Sequence, residues 1–391
     1  MRHFVTLLCL LALNGSRAAA QLATLGSLLH DGRTRYYRLA VPPSATATPP
    51  LVIVLHGGSG DALGVQGFTQ FNARANEHGF VAVYPEGAAA APPGYSWADG
   101  RSTTADEAGV DDVGFVAALI DTLHAEVGVD RSRVYVTGFS NGGFMTQRLA
   151  CERPELFAAA APIGSSLDTS LFRNCDPAVP IPILYVAGTA DPEVPYAGGA
   201  MRNPAVLPVV AVDTAVARWA ELNGCVTALP PVAVPDSVTD DNSTVERLEF
   251  VDCTEGASVR FFRVDGGGHT WPGVEVASLE AQLGETNEDI HASDKIWAFF
   301  RQFDRDTVGA SAIAQSARVV PGLTIYPNPT SGHVQLRGSG PGDAFRVYDL
   351  PGREVLRGRG GTLDAGLLAP GTYIVRALHG GEWASGRLLR Q

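Results

Sequence analysis

Between residues 35 and 304, short apolar runs rich in β-branched residues alternate with stretches of helical period, and few folds accommodate that alternation. Leu51-Val52-Ile53-Val54-Leu55 has no polar position, as expected of a strand covered on both faces. Phe80-Val81-Ala82-Val83-Tyr84, Val134-Tyr135-Val136 and Ile183-Leu184-Tyr185-Val186 repeat the pattern. Between them, Val113, Val116, Ile120, Leu123 and Val127 recur at helical spacing, with Asp111 or Asp112 placed to cap that helix. The pattern predicts an α/β domain: a mostly parallel sheet with helices on both faces.

After residue 304 the pattern changes. Residues 305–318, rich in Ala and Ser, read as a linker. From 319 to 391, short alternating segments such as Leu323-Thr324-Ile325-Tyr326 and Phe345-Arg346-Val347-Tyr348 are broken by Pro327-Asn328-Pro329, Pro351-Gly352 and Pro370-Gly371. A small all-β sandwich of roughly 70 residues fits there. Two ordered units also suit a chain of 391 residues, long for one compact domain.

The other end reads as an export signal over 1–20. Met1-Arg2-His3 is followed by an apolar run at 4–13 and by Ala18-Ala19-Ala20, so the first domain is expected to occupy 21–304. That run is too short to cross a bilayer, and no later stretch approaches ~20 apolar residues, so no transmembrane segment is expected. Net charge is −12 with no cluster of Lys or Arg, which leaves no basic face to neutralise phosphates; nucleic acid is not an expected partner. Of five cysteines, Cys9 falls in the export segment. The remaining Cys151, Cys175, Cys225 and Cys253 predict two disulfides in an exported chain. Three pairings are open, of which the sequential one closes two loops of modest length; buried free thiols are the alternative.

Gly138-Phe139-Ser140-Asn141-Gly142 matches G-x-S-x-G between a predicted strand at 133–137 and a helical stretch at 143–151. That strand–turn–helix setting exposes the serine on a sharp turn, beside a helix N-terminus that favours developing negative charge. A serine hydroxyl becomes a useful nucleophile only when an oriented base takes its proton. Two loops after later predicted strands offer the partners: Asp191 in Gly188-Thr189-Ala190-Asp191-Pro192, and His269 in Gly266-Gly267-Gly268-His269-Thr270-Trp271. Glu193 and Asp265 are rival acids, although Asp265 would have to orient a histidine only four residues away. His124 falls on a predicted helix, and His291 starts the last one.

Acyl transfer also needs donors aimed at an oxyanion. His56-Gly57-Gly58-Ser59-Gly60, directly after the first buried strand, supplies one backbone N–H, assigned to Gly58 with Gly57 as runner-up. The N–H of Asn141, after the nucleophile, supplies the second. Trp271 and Trp97 are candidates to line a substrate surface. No metal-ligand cluster or dinucleotide fingerprint appears, so neither metal nor cofactor is expected.

With these motifs in order, residues from about 35 to 300 resemble the polyhydroxybutyrate depolymerase and feruloyl esterase group of exported α/β-hydrolases. The resemblance rests on Leu55-His56-Gly57-Gly58, Asp111-Asp112-Val113-Gly114-Phe115, Gly138-Phe139-Ser140-Asn141-Gly142-Gly143, Gly188-Thr189-Ala190-Asp191-Pro192 and Gly267-Gly268-His269-Thr270-Trp271-Pro272-Gly273. It implies ester hydrolysis through an acyl-enzyme with Ser140, Asp191 and His269 as triad. The group often carries histidine where Ala187 stands here, which loosens the transfer of substrate preference. Tyr326-Pro327-Asn328-Pro329-Thr330-Ser331-Gly332, Val347-Tyr348-Asp349 and Leu368-Ala369-Pro370-Gly371-Thr372-Tyr373 resemble the C-terminal sorting domain of type IX secretion substrates. A polymer-binding sandwich is the alternative for that tail.

The expectation is therefore a secreted serine carboxylic-ester hydrolase. Its partners would be the type IX secretion machinery and a polymeric or oligomeric ester: a hydroxybutyrate-like polyester, or feruloyl and acetyl esters of plant polysaccharide. A serine peptidase of the same fold and a non-catalytic surface-binding protein are the rival readings.

Overall fold

The apolar runs become the centre of one sheet. The computed structural model describes residues 23–91, 93–275, 281–305, 324–337, 340, 342–349, 354–379 and 382–391. The export segment at 1–20 and all but the first residue of the linker at 305–318 lie outside the described residues. Strands β1 (Thr24–His30) and β2 (Arg33–Ala40) form an antiparallel edge hairpin. Next come β3 (Leu51–Leu55), β4 (Val81–Pro85), a separate small hairpin of β5 (Ala89–Ala91) and β6 (Gly94–Ser96), β7 (Val134–Phe139), β8 (Ala159–Ile163) and β9 (Ile183–Gly188). Strands β10 (Thr227–Ala228), β11 (Val232–Ala233), β12 (Thr244–Val251) and β13 (Val259–Asp265) complete the domain. The order is β1-β2-β4-β3-β7-β8-β9-β13-β12-β10, with β11 also on β12. The stretch from β4 to β13 is parallel, and its flanks are antiparallel.

Strand β3 shows why its sequence has no polar position. Leu51, Ile53 and Leu55 enter one apolar cluster, and Val52 and Val54 enter another across the sheet. Helices α4 (Asp112–Val127), α5 (Asn141–Glu152) and α7 (Val212–Leu222) contribute to the first cluster. Helices α1 (Ala62–Thr69), α2 (Phe71–His78) and α8 (Ala292–Phe300) contribute to the second. Two short helices, α3 (Thr104–Glu107) and α6 (Thr169–Asn174), lie in loops. This is the α/β-hydrolase arrangement expected from the motifs.

The choice between Asp111 and Asp112 is resolved. Asp111 Oδ1 caps α4 by accepting from Gly114 N–H at 2.8 Å. Asp112 is buried instead, paired with Arg35 at 2.5 Å and accepting from Ala98 N–H. The disulfides are sequential: Cys151–Cys175 ties the end of α5 to the end of α6, and Cys225–Cys253 links the segment after α7 to the turn after β12. Strand β8, Ala159-Ala160-Ala161-Pro162-Ile163, is all buried, but its small residues give little β signal.

The tail forms two antiparallel sheets. Strands β14 (Thr324–Tyr326), β15 (His333–Arg337) and β18 (Thr362–Asp364) make one; β16 (Ala344–Asp349), β17 (Glu354–Arg359), β19 (Gly371–His379) and β20 (Glu382–Arg390) make the other. Val334, Leu336, Phe345, Val347, Leu363, Val375 and Leu388 form their shared core. Among the described residues, no helix is long and apolar enough to cross a membrane.

Candidate active site

Strand β7 ends at Phe139 and α5 begins at Asn141, leaving Ser140 alone in the turn at φ 54° and ψ −118°. Such a conformation costs a non-glycine residue about 1–3 kcal/mol and persists only where its surroundings hold it. Its N–H is held by Ile163 O at 2.9 Å. The tight turn requires its glycines: a Cβ on Gly138 would lie 2.3 Å from Gly142 O, and one on Gly142 would lie 2.4 Å from Leu55 O.

Asp191 and His269 leave neighbouring strands β9 and β13 at their carboxyl ends and meet. Asp191 Oδ2 lies 2.7 Å from His269 Nδ1, and both side chains are buried. Asp191 Oδ1 accepts the N–H groups of Glu193 and Val194, each at 2.8 Å, which fixes the carboxylate for the ring. A carboxylate at Nδ1 selects the tautomer with its proton there and leaves Nε2 as a basic lone pair. The rival acids point elsewhere, Glu193 to Arg202 and Asp265 to Arg263. The imidazole packs on Phe139, ring centroids 4.7 Å apart, which brings it beside the serine's own strand. Among the described residues, no hydrogen bond joins Ser140 Oγ to the ring.

The loop 56–60 folds over the same place. A Cβ on Gly57 would lie 3.5 Å from Ser140 Cβ, and one on Gly58 3.6 Å from Asn141 Cβ. The amides of Gly58 and Asn141 have no acceptor among the described residues. Below them, His56 is nearly fully buried, with Nδ1 2.8 Å from Gly57 O and Nε2 accepting from Gly87 N–H at 3.0 Å. Burial pushes its pKa down to about 4, against the opposing hydrogen bond to Gly57, so the ring is neutral. Asn141 is locked as well: its side chain accepts from Trp97 N–H at 2.8 Å and donates to the buried Asp99.

Neither tryptophan lines the surface, which corrects the expectation for both. Trp97 and Trp271 are fully buried. The indole of Trp97 donates to His56 O at 2.9 Å and so braces the 56–60 loop from beneath. Trp271 donates to Ser293 Oγ at 3.2 Å and packs edge-on against Phe68, Phe71 and Phe139. Both rings are absorbed by local packing, a frequent fate of large aromatics.

Two cavities meet at Gly58. One of about 540 Å³ is walled by Val65, Phe68, Phe139, Val274 and Leu283 and bordered by His269. The other, about 340 Å³, is bordered by Ser140 and Asn141 and lined by Ser96, Arg101, Thr104, Glu193 and Asn203. Sequence reasoning assigned no role to Phe68, Asp99 or Arg101. Only Phe139 carried a signal, as the variable residue inside the serine motif.

Residues 35–173 match the family described as "Esterase PHB depolymerase", and residues 324–389 match "Secretion system C-terminal sorting domain". The chain is 33% identical over 275 residues to "Putative esterase NocK" of Nocardia uniformis subsp. tsuyamanensis, covering 67% of this chain and 78% of that protein. It is 31% identical to "Feruloyl esterase B" of Piromyces equi, over 56% of this chain and 39% of that one. It is 34% identical to "Poly(3-hydroxyalkanoate) depolymerase C" of Paucimonas lemoignei, over 32% of this chain and 29% of that one.

Proposed function

From the premise that the chain belongs to the esterase PHB depolymerase family and is a carboxylic-ester hydrolase, we propose that Ser140 is its nucleophile, His269 its general base and Asp191 the residue that orients the base. The observation that carries this reading is the buried Asp191–His269 pair at 2.7 Å, packed through Phe139 against the strained turn that bears Ser140. Ser140 Oγ attacks the ester carbonyl, and His269 Nε2 takes its proton. Asp191 stabilises the imidazolium so formed, and the Gly58 and Asn141 amides receive the oxyanion. His269 then returns the proton to the departing alcohol, and water releases the acid by the same route. Serine–base hydrogen bonds of this kind tighten when substrate is bound.

The protein is extracellular or held at the cell surface, as its sorting domain and two disulfides indicate. We propose the type IX machinery as its exporter and an ester too large to import as its substrate. That substrate is a saccharide ester of a feruloyl or acetyl group, or a hydroxyalkanoate polyester. Labelling with a fluorophosphonate tests the chemistry: Ser140 is expected to be modified in folded wild type and in no Ser140→Ala sample. A panel of p-nitrophenyl esters, methyl ferulate, hydroxybutyrate oligomers and a peptide amide tests the substrate class, with turnover expected on esters. Preference for the amide would refute the assignment.

A further inference from the structure

The N-terminus of α5 is held from outside the helix. A helix N-cap residue ordinarily steadies the first turn by accepting a backbone N–H with its side chain. Here the N-cap is Ser140, whose side chain makes no capping hydrogen bond. A hydroxyl kept for attack on an ester cannot also serve as a cap. The turn that carries the Asn141 amide therefore depends on other contacts.

Those contacts come from residues 97–99, directly after β6. The Asn141 side chain accepts from Trp97 N–H at 2.8 Å, and it donates to Trp97 O at 3.3 Å and to Asp99 Oδ2 at 2.5 Å. The same segment reaches the other proposed oxyanion donor, because the Trp97 indole donates to His56 O at the start of the 56–60 loop. One short stretch of chain thus ties both amides and fixes their separation. Its own place is set by Asp112, which accepts from Ala98 N–H at 2.8 Å, and by Arg148, whose Nη1 donates to Ala98 O at 2.6 Å.

Asp99 is the member least expected on grounds of stability. Its side chain is fully buried, and burial pushes its pKa up against the opposing pull of Arg101. Besides Asn141, its Oδ2 accepts from Arg101 Nε at 3.0 Å and Nη2 at 2.6 Å. A buried ion pair of this kind is often no more stabilising than apolar residues of the same volume. What it supplies is an acceptor oxygen at a fixed place beside the Asn141 side chain.

We infer that Asp99 is a positioning residue: through the Asn141 side chain it holds the first turn of α5 in register, in place of the cap that Ser140 cannot provide, and so keeps the Asn141 N–H aimed at the oxyanion. This rests on the reading of Ser140 as nucleophile and of the Asn141 amide as oxyanion donor, and deepens it.

The test removes the buried ion pair whole, so that neither charge is left without its partner. Asp99→Asn/Arg101→Met keeps an acceptor oxygen for Asn141, whereas Asp99→Leu/Arg101→Met does not. With p-nitrophenyl butyrate, kcat of the leucine variant is expected to lie about 10- to 100-fold below that of the asparagine variant at the same KM, the effect of a misplaced oxyanion donor. A butyl trifluoromethyl ketone, to which Ser140 adds to give a tetrahedral oxyanion, is expected to bind the leucine variant more weakly by the same factor. A merely structural role would not move that affinity in step with kcat. Asn141→Ala keeps the amide but deletes the side chain that Asp99 holds. It is expected to show the same loss against wild type, and it reads the contact even if the leucine variant does not fold. Equal kcat in the two double variants, a loss confined to KM, or a wild-type kcat in Asn141→Ala would refute the role of Asp99 while the esterase reading stands. If the ketone does not inhibit wild type, the oxyanion reading itself falls, and the positioning role with it.

Discussion

His56 and His269 border the same cavity, yet their surroundings prepare them for opposite work. His269 has a carboxylate at Nδ1, and its Nε2 is the proposed acceptor of the Ser140 proton. His56 has both nitrogens engaged by backbone, one at Gly57 O and one at Gly87 N–H. Burial holds its pKa near 4, so it has neither a proton to give nor a lone pair to offer. The difference comes from partners, because the side chains are identical. A carboxylate turns an imidazole into a base, whereas two peptide groups turn it into a strut.

The comparison is broken most directly at the pair itself. Ser140→Ala and His269→Ala are each expected to lower kcat by about four orders of magnitude or more, and Asp191→Asn by about three to four, because the amide favours the wrong tautomer of the ring. Turnover of p-nitrophenyl butyrate measures all three, and circular dichroism checks the fold. A His269→Ala enzyme within tenfold of wild type would remove His269 from the role of base.

His56→Ala is expected to do less and to do it differently. Losing the strut loosens the loop that carries the Gly58 amide, and displacing this proposed oxyanion donor is expected to lower kcat by about 10- to 100-fold with little change in KM. The pH–rate profile is expected to keep its shape while its height drops. Stability separates the histidines further. The unfolded chain protonates His56 near its ordinary value of 6.5, whereas the folded chain resists until about 4. The unfolded state therefore binds the extra proton in that window. This contribution to stability is complete above pH 6.5 and is lost as pH falls towards 4. Thermal unfolding at a series of pH values should show a steeper acid decline in wild type than in His56→Ala. Parallel curves would mean that the ring is not held neutral.

The sequence made the chemistry easier to read than its supports. Strand β3 and the serine turn were legible because each obeys a local rule: an unbroken apolar run in one case, glycines two residues either side of the serine in the other. That Asp191 and His269 would meet was legible because strand ends in a parallel sheet gather on one edge. Strand β8 escaped because alanines carry little strand preference, and Asp112 was hard to tell from a cap because both readings place an acid before the same helix. Trp97 and Trp271 were misread because exposure depends on distant residues. No local pattern shows that the 56–60 loop and Asn141 will enclose the first, or that Phe68 and Ser293 will enclose the second. Likewise the Asp99–Arg101 pair acquires its place beside Asn141 only when β6 and α5 come together.

Trp97 is where a substitution should matter least. The buried indole of Trp97 holds His56 O, so it braces the strut and not the substrate. Trp97→Phe retains an aromatic ring against His56, whose ring centroid lies 4.9 Å away, and removes only the N–H donor and part of the volume. A lost hydrogen bond and a small cavity cost about 1–3 kcal/mol of stability together. Catalysis should fall only two- to fivefold, in kcat and with KM unchanged, because the Gly58 amide shifts without leaving its place. A substrate-lining tryptophan would give the reverse, a raised KM that grows with the size of the acyl group. Measuring kcat and KM across acetyl, butyryl and feruloyl esters separates the two, and a chain-length-dependent KM would return Trp97 to the substrate surface. In the double variant with His56→Ala, the Trp97→Phe effect on kcat should largely vanish, since the brace then has no strut to hold.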